Sequence, residues 1–252
     1  RRLIVPQETP MPFFRRGPAS IYYQEHGPAS GFPVLLLAPG SLNSSIEWWR
    51  RDGTPMNPMA DLGDRFRVIA MDQRNAGQSW APIGPEDNWD TYTGDQTGLL
   101  DHLGIERAHL MGQCIGGPLI MNFLKTAPHR VVSAVLLQPS GRFGPLPGRR
   151  PSFNQWVETL TNHPEMTDEA LESMHRNMYT ADFVYTVPRE FVPACTAPLL
   201  IMAGNDQAHP FEIAQQLAEL APNAEFIPEW KHGSALQAAR TRVGEFLDRH
   251  TP

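Results

Sequence analysis

The sequence predicts an α/β domain: a mostly parallel central sheet flanked by helices and interrupted once by a helical insertion. Three observations lead there. Short apolar runs of strand length alternate with amphipathic helical patterns along most of the chain. The run Val-Val-Ser-Ala-Val-Leu-Leu at residues 131–137 is apolar throughout, as a strand buried on both faces should be. The alternation then breaks after residue 140 and resumes near residue 199.

In chain order, residues 20–25 and 34–38 predict an antiparallel entry pair. Residues 56–62 suggest a short helix, and Arg-Val-Ile-Ala-Met at 67–71 a buried strand. Leu99, Leu100 and Leu103 share a helical face within 92–103. A strand follows at 109–112, then a helix at 117–125 with Leu119, Ile120, Phe123 and Leu124 together. Beyond the strand 131–137, Gly, Pro and Arg dominate 139–151, where Arg149-Arg150 reads as a solvated loop. Helices follow at 153–160 and 168–178. The last elements are a strand at 199–203, a helix at 211–220, a strand at 225–227 and a helix at 236–250. Residues 1–140 and 195–252 therefore form the core, and 141–194 an insertion placed as a lid.

Composition narrows the function. The 252 residues are 41% hydrophobic and 19% charged, with a formal net charge of −6. An acidic balance speaks against nucleic acid as a partner. No run approaches the ~20 apolar residues of a membrane span, so no membrane partner is expected. Pro6 and Gln7 cut short any signal-peptide core, although the first residue is Arg rather than Met and an earlier leader stays open. Two cysteines, Cys114 and Cys195, make no disulfide framework, and a reduced cytoplasmic setting is expected. No glycine-rich phosphate loop follows a strand and no metal-ligand spacing occurs, so neither a cofactor nor a metal is expected.

The chemistry centres on Gly112-Gln113-Cys114-Ile115-Gly116, between a strand and a helix. This is the Gly-x-Ser-x-Gly nucleophile elbow with cysteine in place of serine. Glycines on both sides allow the close strand–helix approach, and the helix N-terminus favours a thiolate.

On these residues the chain resembles the α/β-hydrolase superfamily. Its order of nucleophile, acid and histidine is met by Cys114, then Asp206 beyond the strand of Pro198-Leu199-Leu200-Ile201-Met202-Ala203, then His232 before the final helix. The resemblance implies Cys114 as nucleophile, His232 as base and Asp206 as the acid that orients it. His209, close to Asp206, is the rival base. Alternative readings are a helix cap for Asp206 and a surface turn for His232. The oxyanion donors implied are the amides of Ile115 and Ser41, with Leu42 the alternative to Ser41. Here Pro39-Gly40 replaces the family's His-Gly. Residues 72–79, Asp-Gln-Arg-Asn-Ala-Gly-Gln-Ser, resemble a second family motif and read as structural. Leu42, Trp80, Gln113 and Trp156 are the expected substrate-binding residues.

The reaction implied is hydrolysis of a small ester, lactone or thioester through an acyl-Cys intermediate, with an activated C–C or amide bond as a variant. Phe153, Trp156, Met174, Met178, Tyr179, Phe183 and Tyr185 point to a small-molecule substrate with an apolar or aromatic acyl part, although core packing explains most of them. Acyl transfer to an acceptor other than water is the alternative, and a non-catalytic ligand-binding member of the fold the third reading. A homodimer is compatible with the sequence.

Overall fold

The computed structural model describes residues 12–142, 150–179 and 183–252. Eight strands form one sheet: β1 (Phe13–Arg16), β2 (Ala19–His26), β3 (Pro33–Leu37), β4 (Arg67–Met71), β5 (Ala108–Gln113), β6 (Val131–Leu137), β7 (Leu199–Met202) and β8 (Ala224–Ile227). Their spatial order is β1-β2-β4-β3-β5-β6-β7-β8. From β4 onward every pairing is parallel, and β1 and β2 form the antiparallel edge. The antiparallel partner of β2 is β4, not β3 as the sequence suggested. The crossover from β3 to β4 places β4 between them, an order that no local periodicity encodes.

The helices are α1 (Pro58–Leu62), α2 (Trp89–His102), α3 (Gly116–Thr126), α4 (Arg150–Thr159), α5 (Asp168–Met178), α6 (Phe211–Leu220) and α7 (Gly233–His250). Two apolar layers cover the sheet. Leu35, Leu110 and Leu136 face the layer carrying Leu119 and Phe123 of α3 and Ile213 and Leu217 of α6. Leu36, Met111 and Val135 face the layer with Met59 of α1 and Phe246 of α7. The alternation of these strand residues follows the two-residue period of a strand whose faces are both covered.

The insertion between β6 and β7 carries α4 and α5. Arg142 N–H donates to Phe183 C=O at 2.7 Å, and Tyr185 OH donates to Gly141 C=O at 2.9 Å. Phe153, Trp156, Met174 and Met178 are buried and continue the core layer that includes α3. Arg149 and the rest of 143–149 lie outside the described residues, as does 180–182. Among the described residues no helix is long and apolar enough to cross a membrane.

Candidate active site

The parallel strands end on the same edge of the sheet, and the candidate site residues Cys114 and Asp206 lie in the loops beyond those ends. Cys114 follows β5 directly and precedes Ile115, the N-cap of α3. Its φ is +58°, a conformation that costs a non-glycine residue energy and persists only where the surroundings impose it. They do so through the backbone. Cys114 N–H donates to Leu137 C=O at 3.0 Å, and Cys114 C=O accepts from Gly117 N–H at 3.1 Å and Ser140 N–H at 2.9 Å. A side chain at Gly116 would place its Cβ 2.2 Å from Leu37 O, so only glycine permits this strand–helix approach. The thiol is partly exposed. Cys195, by contrast, is buried, and burial pushes its thiol up to about 11.

Asp206 and His209 lie in one tight turn after β7. Asp206 and His209 form a two-residue bridge, and Asp206 Oδ1 accepts the N–H groups of Ala208 and His209 at 2.9 and 3.0 Å. The ring of His209 lies back over the same carboxylate, with Nδ1 at 2.9 Å from both oxygens. An ionised carboxylate only accepts, so Nδ1 carries the proton and Nε2 presents its lone pair. Nε2 is buried. The side chain it faces electrostatically is Cys114. Burial works against a charged His209 ring, but Cys114 first and Asp206 second more than offset it, leaving the imidazole above its ordinary value. For Asp206, burial opposes ionisation, and His209 with the two amides outweighs it, holding the carboxyl below the usual range. Gly204 makes the turn possible, since a Cβ there would sit 2.1 Å from His209 O.

His232, the base expected from chain order, stands elsewhere. It is exposed at the N-cap of α7, and among the described residues no hydrogen bond or ion pair joins it to Cys114 or Asp206. It borders instead a separate cavity of about 350 Å³ with Lys231, Trp230 and Phe211. In this geometry the imidazole that meets both Asp206 and Cys114 is that of His209. The signal in the sequence was the spacing Asp-x-x-His, which lets a histidine fold back onto its own aspartate within one turn.

The expected oxyanion donors sit at the starts of helical turns, where N–H groups lack an in-helix partner. Ile115 precedes α3, and Ser41 opens the 3₁₀ turn Ser41–Asn43 with φ +55° after Gly40 at +115°. The hydroxyl of Ser41 is buried without a partner among the described residues. Of the expected substrate-binding residues, Leu42 is a core residue, 1% exposed. Gln113 is buried with its Oε1 unpartnered among the described residues. Trp156 is fully buried and donates Nε1–H to Asn75 C=O at 3.0 Å. Trp80 is the exposed one, at 38%, stacked on His163 of the insertion with ring centroids 5.5 Å apart.

The second motif acts as a brace. Asp72 accepts from Ile46 N–H and Gln78 N–H, both at 2.7 Å, and so joins the loops after β3 and β4. Arg74, buried, pairs with Asp95 and Asp87 and ties that loop to α2. Among the described residues, no cluster of three metal-ligating side chains occurs.

A protein-family model for the alpha/beta hydrolase fold matches residues 33–168, more than half of the chain. The chain belongs to the alpha/beta hydrolase family. It is similar to a putative carbamate hydrolase, RutD, of Azorhizobium caulinodans, at 33% identity over 50% of this chain and 44% of that protein. It is also similar to a 2-hydroxy-6-oxo-6-phenylhexa-2,4-dienoate hydrolase of Comamonas testosteroni, at 32% identity over 50% of this chain and 44% of that one. These matches span under half the length of either relative. Among solved structures, the enol-lactonase from Burkholderia xenovorans superimposes with a TM-score of 0.68 at 20% identity, over 94% of this chain and all of that one. That likeness shows the fold.

Proposed function

We propose that this protein hydrolyses a small ester, lactone or thioester through an acyl-Cys114 intermediate, with His209 as base and Asp206 as its orienting acid. The observation that carries the reading is His209, set between the Asp206 carboxylate and the Cys114 side chain, with Nδ1 committed to the acid. Nε2 takes the thiol proton, and the thiolate sulfur attacks the acyl carbonyl. The oxyanion that forms is received by the amides of Ile115 and Ser41. Collapse of the intermediate breaks the bond to the leaving oxygen or sulfur, which takes the proton from His209. Water then gives a proton to His209 and adds to the thioester. Release of the acid returns the proton to the Cys114 sulfur. The relatives' names, a carbamate hydrolase and a dienoate hydrolase, support bond cleavage at an activated carbonyl.

The insertion, acting as a lid over residues 141–194, supplies the substrate's surroundings. Tyr179 of the insertion, only partly buried and packed against the same apolar layer as Cys114, supports an apolar or aromatic acyl group on a small molecule. A cysteine nucleophile also supports a second reading, because a thioester accepts amines and thiols more readily than an oxygen ester does. Two free cysteines fit a reduced, cytoplasmic setting. Incubation with activated short-chain and aryl esters, followed by peptide mass mapping, tests the mechanism. An acyl group on Cys114 is expected, and Cys114→Ala should lose turnover by several orders of magnitude. Full turnover in Cys114→Ala would refute it. Product partitioning with an added amine then separates hydrolysis from acyl transfer.

A further inference from the structure

The loop carrying Ser41 holds two consecutive residues at positive φ, Gly40 and Ser41, so its shape depends on what surrounds it. Asn43 closes the turn: its N–H donates to Gly40 C=O at 3.0 Å, and its C=O accepts from Trp48 Nε1 at 2.9 Å. The far side of Asn43 meets the insertion. Helix α4 packs against the Ser41–Asn43 turn, and Thr159 Oγ1 lies 2.6 Å from Trp156 O and 3.1 Å from Asn43 Oδ1. The Thr159 hydroxyl thus donates to both Trp156 C=O and Asn43 Oδ1, and ties the end of α4 to the Ser41–Asn43 turn.

The same helix is pinned to the second loop beside the site. Trp156 Nε1–H bonds the carbonyl of Asn75, which is itself at φ +57° and accepts Ala81 N–H on its side chain at 2.7 Å. Gln73 N–H donates to Ser44 C=O at 2.9 Å, and Ser44 Oγ–H to Ala38 C=O at 2.7 Å, so the two loops are tied to each other. One helix of the insertion thus rests on both.

We infer that docking of α4, through Thr159 on Asn43 and Trp156 on Asn75, sets the Ser41 amide, so that the oxyanion hole is complete only when the insertion is seated. Asn43 and Thr159 are positioning residues for acyl transfer. The inference rests on the acyl-Cys114 reading and adds a specificity rule: acyl groups too bulky for α4 to seat still bind but turn over slowly. Displacing a reacting or stabilising group by about 1 Å can cost roughly 10²-fold in rate, and removing an oxyanion donor outright costs about 10²–10³. Loss of one exposed tether should cost less, about 3–10-fold.

The test is steady-state kinetics on 4-nitrophenyl acetate for Thr159→Val, Asn43→Ala, the double variant and Thr159→Ser. Expected are a 3–10-fold fall in kcat with KM within twofold, no further loss in the double variant, and recovery in Thr159→Ser. Urea midpoints near wild type show that the fold is kept. Unchanged kcat with raised KM, or independent losses that multiply, would overturn the inference. Turnover surviving in Cys114→Ala would instead refute the underlying mechanism, so the two failures are distinct.

Discussion

A thiol nucleophile needs a base able to hold its proton and an acid able to hold the base in one orientation. In the proposed mechanism both come from the four-residue turn Asp206 to His209, which keeps the positional uncertainty between them small. Their coupling is also a statement about pH. Asp206 is held below its ordinary range, so its contribution is present above about 3.9 and is lost as pH falls through its folded value. His209 is raised, so its contribution is full below about 6.5 and is lost as pH rises through its folded value. The stability difference between wild type and His209→Gln should therefore be widest between about pH 4 and 6.5, read from urea midpoints. A difference that grows toward alkaline pH would contradict the pairing. The two thiols should also separate. Iodoacetamide near neutral pH is expected to label Cys114 and leave Cys195, whose thiol burial pushes up to about 11, as peptide mapping will show.

At the scale of elements, the loops after β3 and β4 depend on Asp72, whose carboxylate serves two backbone amides. Asp72→Asn turns one acceptor into a donor facing an N–H, leaving a buried group unpaired at about 2 kcal/mol. For a chain of this size that reads as a melting point about 4–8 °C lower, with no change in the Cys114 environment. An unchanged melting point would remove the brace. The elements themselves were largely legible, because strong periodicity fixes them locally: β4, β6, α5 and α6 fall where the pattern places them. The four-residue edge strand β1 carried too little pattern to be read. The β2 partner was misjudged because pairing order belongs to the chain's path. The elbow was legible for the same local reason as the strands, since Gly112, Cys114 and Gly116 act within five residues. Which of two histidines reaches Cys114 is decided by how the loops after β7 and β8 run, and spacing alone favoured His232. The hold of α4 on Asn43 was equally invisible, as it joins residues far apart in sequence.

For the whole molecule, acid stability turns on a histidine remote from the chemistry. His109 is fully buried on β5, with Nδ1 2.8 Å from Ser133 Oγ and Nε2 3.0 Å from Thr251 Oγ1 near the chain's end. Burial lowers it to about 4. The unfolded chain takes up this proton first as pH falls below about 6.5, so stability declines until the folded ring also titrates. The loss approaches about 3 kcal/mol by pH 4. His109→Gln should flatten that limb in urea titrations, and an unaltered limb would place the acid sensitivity elsewhere. The sheet thus keeps a neutral histidine in its interior and presents a protonatable one, His209, at its working edge.

The measurement that bears most directly on the account is the rate at which Cys114 is acylated by 4-nitrophenyl acetate, followed by intact mass, in His209→Gln and His232→Gln. The account predicts that His209→Gln acylates at least about a hundredfold more slowly than wild type, whereas His232→Gln stays within a few-fold. Acylation at the wild-type rate in His209→Gln, with its collapse in His232→Gln, would contradict the assignment and return the base to the position that chain order alone suggested.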